Sequence, residues 1–228
     1  MPELESVPRV SVPDHVFAQL REAILSGRYR PGERLPSQRA LAADLHVNMA
    51  SVREALGRLE QLRLVEVRHG EPTRVLDWRR SGGLEALALR GSVDETLLVD
   101  LFEARRLLLA QAASLAAARR SAAQATALHE LARAVESAPD DRSALLADWD
   151  FMATLVEASG NLVFQLVMNS VRELYLPHAD AFATLVSHRA ELAALYARAA
   201  AAVEQGDGDA AAAALDELAA EQARGMIG

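Results

Sequence analysis

The ten residues Val47 to Leu56, reading Val-Asn-Met-Ala-Ser-Val-Arg-Glu-Ala-Leu, constrain the fold of this chain more than any other stretch. They open with a small polar turn, and Val52, Leu56 and Leu59 then recur at helical spacing. One face of the predicted helix is therefore apolar and packs inward, while Asn48, Ser51, Arg53 and Arg58 fall on the other. A helix with a small polar first turn and a fixed cation one turn later suits insertion of its N-terminus into a DNA major groove.

The flanking pattern supplies the rest of such a domain. Residues 1–12 carry Pro2 and Pro8, with Pro13 close behind and no periodicity, and are expected to form an arm. From Asp14, an expected N-cap, Val16, Leu20, Ile24 and Leu25 mark an amphipathic helix that ends at Ser26-Gly27. Arg30-Pro31-Gly32 signals a turn, Leu35-Pro36 is extended, and Ser37 caps a second helix carrying Leu41, Ala42 and Leu45 inward. His46-Val47 is the short turn before the third helix. After Leu62 the period shortens: Leu64, Val65 and Val67 precede a Gly70-Glu71-Pro72 loop, and Thr73-Arg74-Val75 follows. Two short strands around that loop make a β-hairpin wing.

The expected organisation is a mainly α chain. A winged helix-turn-helix over residues 1–76 is followed by a linker over 77–83 containing Trp78 and Ser81-Gly82-Gly83, and by an all-α bundle of six or seven helices over 84–228. The bundle helices are expected near 84–90, 95–118, 121–137, 141–158, 161–177, 179–205 and 208–224. Ala138-Pro139-Asp140, Ser159-Gly160-Asn161, Pro177 and Gly206-Asp207-Gly208 separate them.

Charge divides along the same line. Residues 1–79 hold 12 Arg and 11 acids, a balance of +1, whereas residues 80–228 hold 12 Arg and 21 acids, a balance of −9. The acidity belongs to the second part, which would not by itself approach phosphate. Cysteine is absent, which removes disulfides, thiolate metal sites and thiol nucleophiles. The chain shows no basic start followed by an apolar run and no uncharged apolar stretch of membrane length, so a cytoplasmic protein is expected. Nothing reads as a catalytic constellation. Asp148 and Asp150 lie two apart on one helix and diverge, and Asp207-Gly208-Asp209 is a helix cap rather than a calcium loop. A helical enzyme or a pure interaction module are the readings from other classes.

The run Gly27, Pro31-Gly32, Leu35-Pro36-Ser37-Gln38-Arg39 and Val52-Arg53-Glu54-Ala55-Leu56 resembles the DNA-binding domain of the GntR family of bacterial transcription regulators. Phe102-Glu103-Ala104-Arg105-Arg106-Leu107-Leu108 and Glu157-Ala158-Ser159-Gly160-Asn161 resemble phrases of that family's FadR branch. His69-Gly70-Glu71-Pro72-Thr73-Arg74-Val75, Trp78, Ser81-Gly82 and Asn169 through Leu174-Tyr175 are similar to its metal-free fatty-acid regulators.

The resemblance implies that Arg39 and Arg53 contact phosphate or guanine and that His69-Gly70, at the wing tip, enters the minor groove. The alternative for both arginines is a solvated or salt-bridged surface position. Asn48 and Ser51 either cap the helix or reach a base or phosphate. Met49 departs from the family, which usually carries a guanine-reading Arg there. A thioether offers no donor fork and makes only apolar contact, for instance with a thymine methyl.

In the second domain many relatives hold a metal through an Asp, a His one turn later and two further His. Here Asp148 stands at the first position, Met152 at the second, Tyr196 at the third and about Leu218 at the fourth. One carboxylate does not make a tight divalent site, so no metal and no other cofactor is expected, with His188 the only nearby rescue. Loss of these ligands is also the pattern of the fatty-acid regulators. They bind long-chain acyl-CoA and resemble this chain at Tyr175 and Tyr196.

The effector site is expected to involve Arg105, Asp148, Met152, Tyr175 and Tyr196. Arg105 meets either a ligand anion or an internal partner, Asp148 or Asp150. The alanine-rich last helix, Ala212 to Ala220, either widens an apolar cavity or lets helices pack closely. The expected partners are a second copy of the chain, palindromic operator DNA, and an acyl-CoA or small organic-acid effector. No membrane partner is expected.

Overall fold

The computed structural model describes residues 11–68, 70–88 and 95–227, and the chain divides into two compact units, Met1–Gly91 and Ser92–Gly228.

The first unit begins with α1 (Val12–Leu25), which buries Val16, Phe17, Leu20, Ala23 and Ile24. Its N-cap is Ser11 rather than the expected Asp14. Pro13 lies inside the first turn, where its missing N–H is no loss, and Asp14 closes a reciprocal capping box with Ser11. Helix α2 (Gln38–Asp44) is capped by Ser37, whose Oγ accepts from Ala40 N at 3.1 Å. In the turn to α3 (Met49–Gln61), His46 adopts the left-handed conformation, φ 54°. Val52, Ala55, Leu56 and Leu59 of α3 are fully buried against α1, so truncating either leucine to alanine costs about 2–5 kcal/mol.

Strands β1 (Val65–Glu66) and β2 (Arg74–Val75) pair antiparallel, Val65 with Val75 and Glu66 with Arg74. Val65 and Val75 face the core. The segment 32–35 runs along the other side of β2: Gly32 N donates to Val75 O at 2.8 Å, Val75 N to Glu33 O at 2.8 Å and Leu35 N to Thr73 O at 2.9 Å. This third run of the wing sheet was expected only as a turn and an extended pair. Within residues 77–83, α4 (Trp78–Ser81) starts from Asp77, whose carboxylate accepts from Arg79 N, and α5 (Glu85–Ala88) follows.

The second unit contains α6 (Glu95–Arg119), α7 (Ala122–Glu136), α8 (Asp141–Ala158), α9 (Leu162–Tyr175), α10 (Ala179–Phe182), α11 (Arg189–Gln205) and α12 (Gly208–Ile227). Six of these exceed three turns and form the helical bundle. Helix α12 packs along α6, with Ala112, Ala113, Ala116 and Ala117 buried in the same core as Ala211, Ala214, Leu215 and Leu218. In this region the small residues allow close helix packing.

The expected helix 179–205 is broken. After α10 come a 3-10 turn, Ala183–Val186, and then Ser187-His188 before α11. Ser187 Oγ donates to Thr184 O at 2.9 Å, satisfying a carbonyl outside the helical ladder, and the tighter turn directs Phe182, Leu185 and Val186 into one apolar cluster. Helix α9 likewise ends at Tyr175 and passes into a 3-10 turn, Leu176–His178, containing Pro177. Asp207 caps α12, its Oδ1 accepting from Ala210 N at 2.9 Å. Among the described residues no helix is long and apolar enough to cross a membrane.

Candidate nucleic-acid interface and buried ionic centre

Asn48 is the N-cap of α3. Its Oδ1 accepts from Ser51 N at 2.8 Å and from Ser51 Oγ at 3.2 Å. Ser51 itself is buried, so its hydroxyl completes the cap and faces inward. Met49 is 43% exposed, a large thioether presented to solvent at the first helical position, and Arg53 is exposed one turn on. Arg39 is exposed on α2.

Arg58 does not share this surface, contrary to the helical pattern. Its Nη1 donates to Asp14 Oδ1 at 2.6 Å, and its guanidinium lies 4.1 Å from the Phe17 ring centroid. That contact locks α3 to the first turn of α1; the hydrogen bond with Ser11 first, and Arg58 second, lower the Asp14 carboxyl to about 2. At the wing tip Gly70 takes φ +77°, with open space where a side chain would begin. This backbone can approach a groove closely. His69 lies outside the described residues.

In the second unit Arg105, Asp148, Tyr175 and Tyr196 come together, from α6, α8, α9 and α11 respectively. Asp148 is 1% exposed. Both of its oxygens accept from Arg105 Nη2 at 3.2 Å; Oδ2 accepts from Tyr175 Oη at 3.2 Å and Oδ1 from Tyr196 Oη at 2.5 Å. The fifth member is Gln222 of α12, which sequence reasoning missed. Its Nε2 donates to Asp148 Oδ1 at 3.0 Å and to Tyr196 Oη at 2.9 Å, and its Oε1 accepts from Arg105 Nη2 at 2.9 Å. Leu218, the position expected from the resemblance, is buried in the apolar core instead. Gln222 lies one helical turn beyond it on the same face, and that spacing was the available signal.

Met152 is buried in the apolar core beside the centre, is none of Asp148's bonding partners, and turns no donor toward it. Asp150 is exposed, so Asp148 is the internal partner of Arg105. His188 is exposed ahead of α11. The donor set does not fit a divalent metal: the carboxylate already faces a guanidinium, and its remaining neighbours are phenols and an amide. Among the described residues no three His, Cys, Asp or Glu side chains converge.

The tyrosine rings are fixed by packing. Tyr175 lies between Trp149 and Phe182 at centroid distances of 5.2 and 4.9 Å, and Tyr196 meets Phe151 edge-on at 5.1 Å. Burial, and secondly the Asp148 charge, push both phenols well above the ordinary 10. Burial works against the Arg105 charge, but Asp148 and the two phenolic oxygens outweigh it, so the guanidinium stays protonated. One loose end remains. Among the described residues Arg105 bonds Asp148 and Gln222 through Nη2, while its Nε is buried without a partner.

Two capped helices that each present an exposed arginine, beside a wing, and in the same chain a helical unit built around a buried ion pair, are the parts of a DNA-binding regulator with a sensory domain. Residues 13–75 match the family described as bacterial regulatory proteins, gntR family, and residues 100–221 match the FCD domain. The chain belongs to the GntR family and is a transcriptional regulator with a DNA-binding and an FCD effector-binding domain, not an enzyme.

It is 36% identical over 219 residues to the HTH-type transcriptional regulator Mce2R of Mycobacterium tuberculosis, covering 94% of this chain and 91% of that protein. It is 30% identical over 157 residues to a fatty acid metabolism regulator protein of Klebsiella pneumoniae, covering 68% and 65%. Its fold is similar to that of a solved Streptococcus agalactiae GntR structure, with a TM-score of 0.52, 25% identity and coverage of 93% and 99%.

Proposed function

We propose that this regulator acts in the cytoplasm as a homodimer on a palindromic operator, and that a fatty-acid-derived anion such as an acyl-CoA retunes its DNA affinity through the Arg105 centre. The observation that carries this reading is the buried, unpartnered Nε of Arg105. A charged N–H without an acceptor is costly in a protein interior and calls for an anionic or carbonyl oxygen.

Two features support the acyl class. A trough of about 620 Å³ between α6 and α12 is lined by Phe102, Ala219, Ala220 and Ala223, suiting an apolar chain; Glu103 lines it too, as do Arg106 and Arg224, which are paired with Asp216 and Glu221. Relatives at about 30% identity carry the name fatty acid metabolism regulator. A small organic acid is the second reading, favoured by the tight aromatic packing of Trp149, Tyr175 and Phe182 around the polar centre.

In either case an acceptor that engages Arg105 competes with Asp148, whose partners come from α9, α11 and α12. Loosening that carboxylate shifts several helices at once, and α6 is the first long helix after the DNA-binding unit in the chain. The dimer reading is supported by Leu162, Val163 and Leu166, an exposed apolar patch at the start of α9. At the DNA, the proposed roles are for Arg39, Met49 and Arg53, all exposed, to face the duplex, with Asn48 as the cap and His69-Gly70 entering the minor groove.

Native mass spectrometry of the purified protein tests both parts. A dimer mass carrying a co-purified acyl-CoA or organic acid is the expected result. A monomer that stays ligand-free after incubation with both classes contradicts it.

A further inference from the structure

The wing sheet places two arginines, forty residues apart in sequence, directly opposite each other. Arg34 bridges Arg74 on one side, and Glu66 pairs with Arg74 on the other, so the three lie in a row across the sheet. Val65 and Val75 occupy the opposite, buried face, and this row faces solvent around a hollow of about 320 Å³ lined also by Arg68, Glu71 and Pro72.

Like charges facing each other across a sheet destabilise it unless an anion lies between them. Among the described residues neither Arg34 nor Arg74 has an ion-pair partner, and the acid of the row, Glu66, is bound by Arg68 Nη2 at 2.9 Å.

We propose that Arg34 and Arg74 form a clamp for a backbone phosphate of duplex DNA, beside the groove that receives the wing. Arg74 is four residues from the wing-tip Gly70, at most about 14 Å along the chain, so a phosphate flanking the groove is within reach of its side chain. Guanidinium forks match phosphate oxygens in pairs, and two forks side by side bind one phosphate from two directions. Such a contact carries no sequence information and sets register and affinity. It supplies binding strength that the exposed Met49, without a donor, does not.

The test is fluorescence anisotropy of a labelled random-sequence duplex across a salt series, using the full chain. Each of Arg34→Ala and Arg74→Ala is expected to weaken binding and reduce the slope of log affinity against log salt by about 1. Glu71→Gln, which removes an acid from the hollow, is expected to tighten binding. The melting temperature of each arginine variant is expected to hold or rise, because repulsion is relieved. Arg34→Gln repeats the test with the side chain's bulk largely kept. Unchanged slopes in the arginine variants overturn the proposal. A slope change seen only where melting falls overturns it too, as does stabilisation by inorganic phosphate with duplex binding unaltered.

Discussion

Arg105 Nη2 sits 3.2 Å from both oxygens of Asp148, so the only fully enclosed carboxylate of this cluster is neutralised by a guanidinium from the neighbouring long helix. Removing one partner leaves the other charge stranded. Arg105→Leu is expected to destabilise the helical unit by about 3–5 kcal/mol, and the double variant Arg105→Leu/Asp148→Leu to recover most of that loss. Urea unfolding followed through Trp149 in a Trp78→Phe background measures the cycle. Additive losses would show that the pair is not coupled.

The phenols of Tyr175 and Tyr196 are neutral donors whose folded values lie well above 10. Neutral tyrosine is favoured by the fold, so this contribution is complete below pH 10 and is lost as pH rises through the folded values. In a Tyr29→Phe background, phenolate absorbance is expected to appear only together with loss of helical signal. Titration of either tyrosine near 10 in a folded protein would contradict the geometry.

Asp14, held at about 2 from an ordinary 3.8, behaves in the opposite sense. Its contribution to the first unit is present above about pH 4 and disappears as pH falls through 2. Arg58→Met is expected to raise the Asp14 value only part of the way, because Ser11 remains the larger influence. Carboxyl NMR titration reads this directly, and complete restoration to 3.8 would assign the shift to Arg58 alone.

Met49 is exposed at the first position of α3, which the proposed function sets against a base edge. Met49→Arg is expected to introduce a guanine preference at one operator position, worth about 1–3 kcal/mol of discrimination. Selection from a random duplex pool with both proteins makes the comparison, and the same preferred base in both would refute the assignment.

Local signals were legible in the sequence, and long-range pairings were not. Ser37 and Asp207 announce caps because a cap is written within three residues, Asn48 left a cap and a base contact open, and Val52, Leu56 and Leu59 announce a buried face through their period. Ser51 and Arg58 were misplaced on the exposed face because helical spacing fixes an angle, not what packs there: one completes the cap, the other bonds Asp14 from α1. The break at Ala183–Val186 depends on which residues the second cluster draws inward, and no local breaker marks it. Gln222 and the Arg34–Arg74 pair needed the fold. Each is an ordinary polar residue until a distant element is laid beside it.

The most direct test of the account is DNA affinity measured by anisotropy on a selected duplex, with long-chain acyl-CoA and small organic acids added in turn. Wild-type protein and the Arg105→Leu/Asp148→Leu variant are compared side by side. The account predicts a change of about 5–150-fold in wild-type affinity with one of these classes and no change in the variant. A response that survives in the variant, or no response of the wild type to either class, contradicts it.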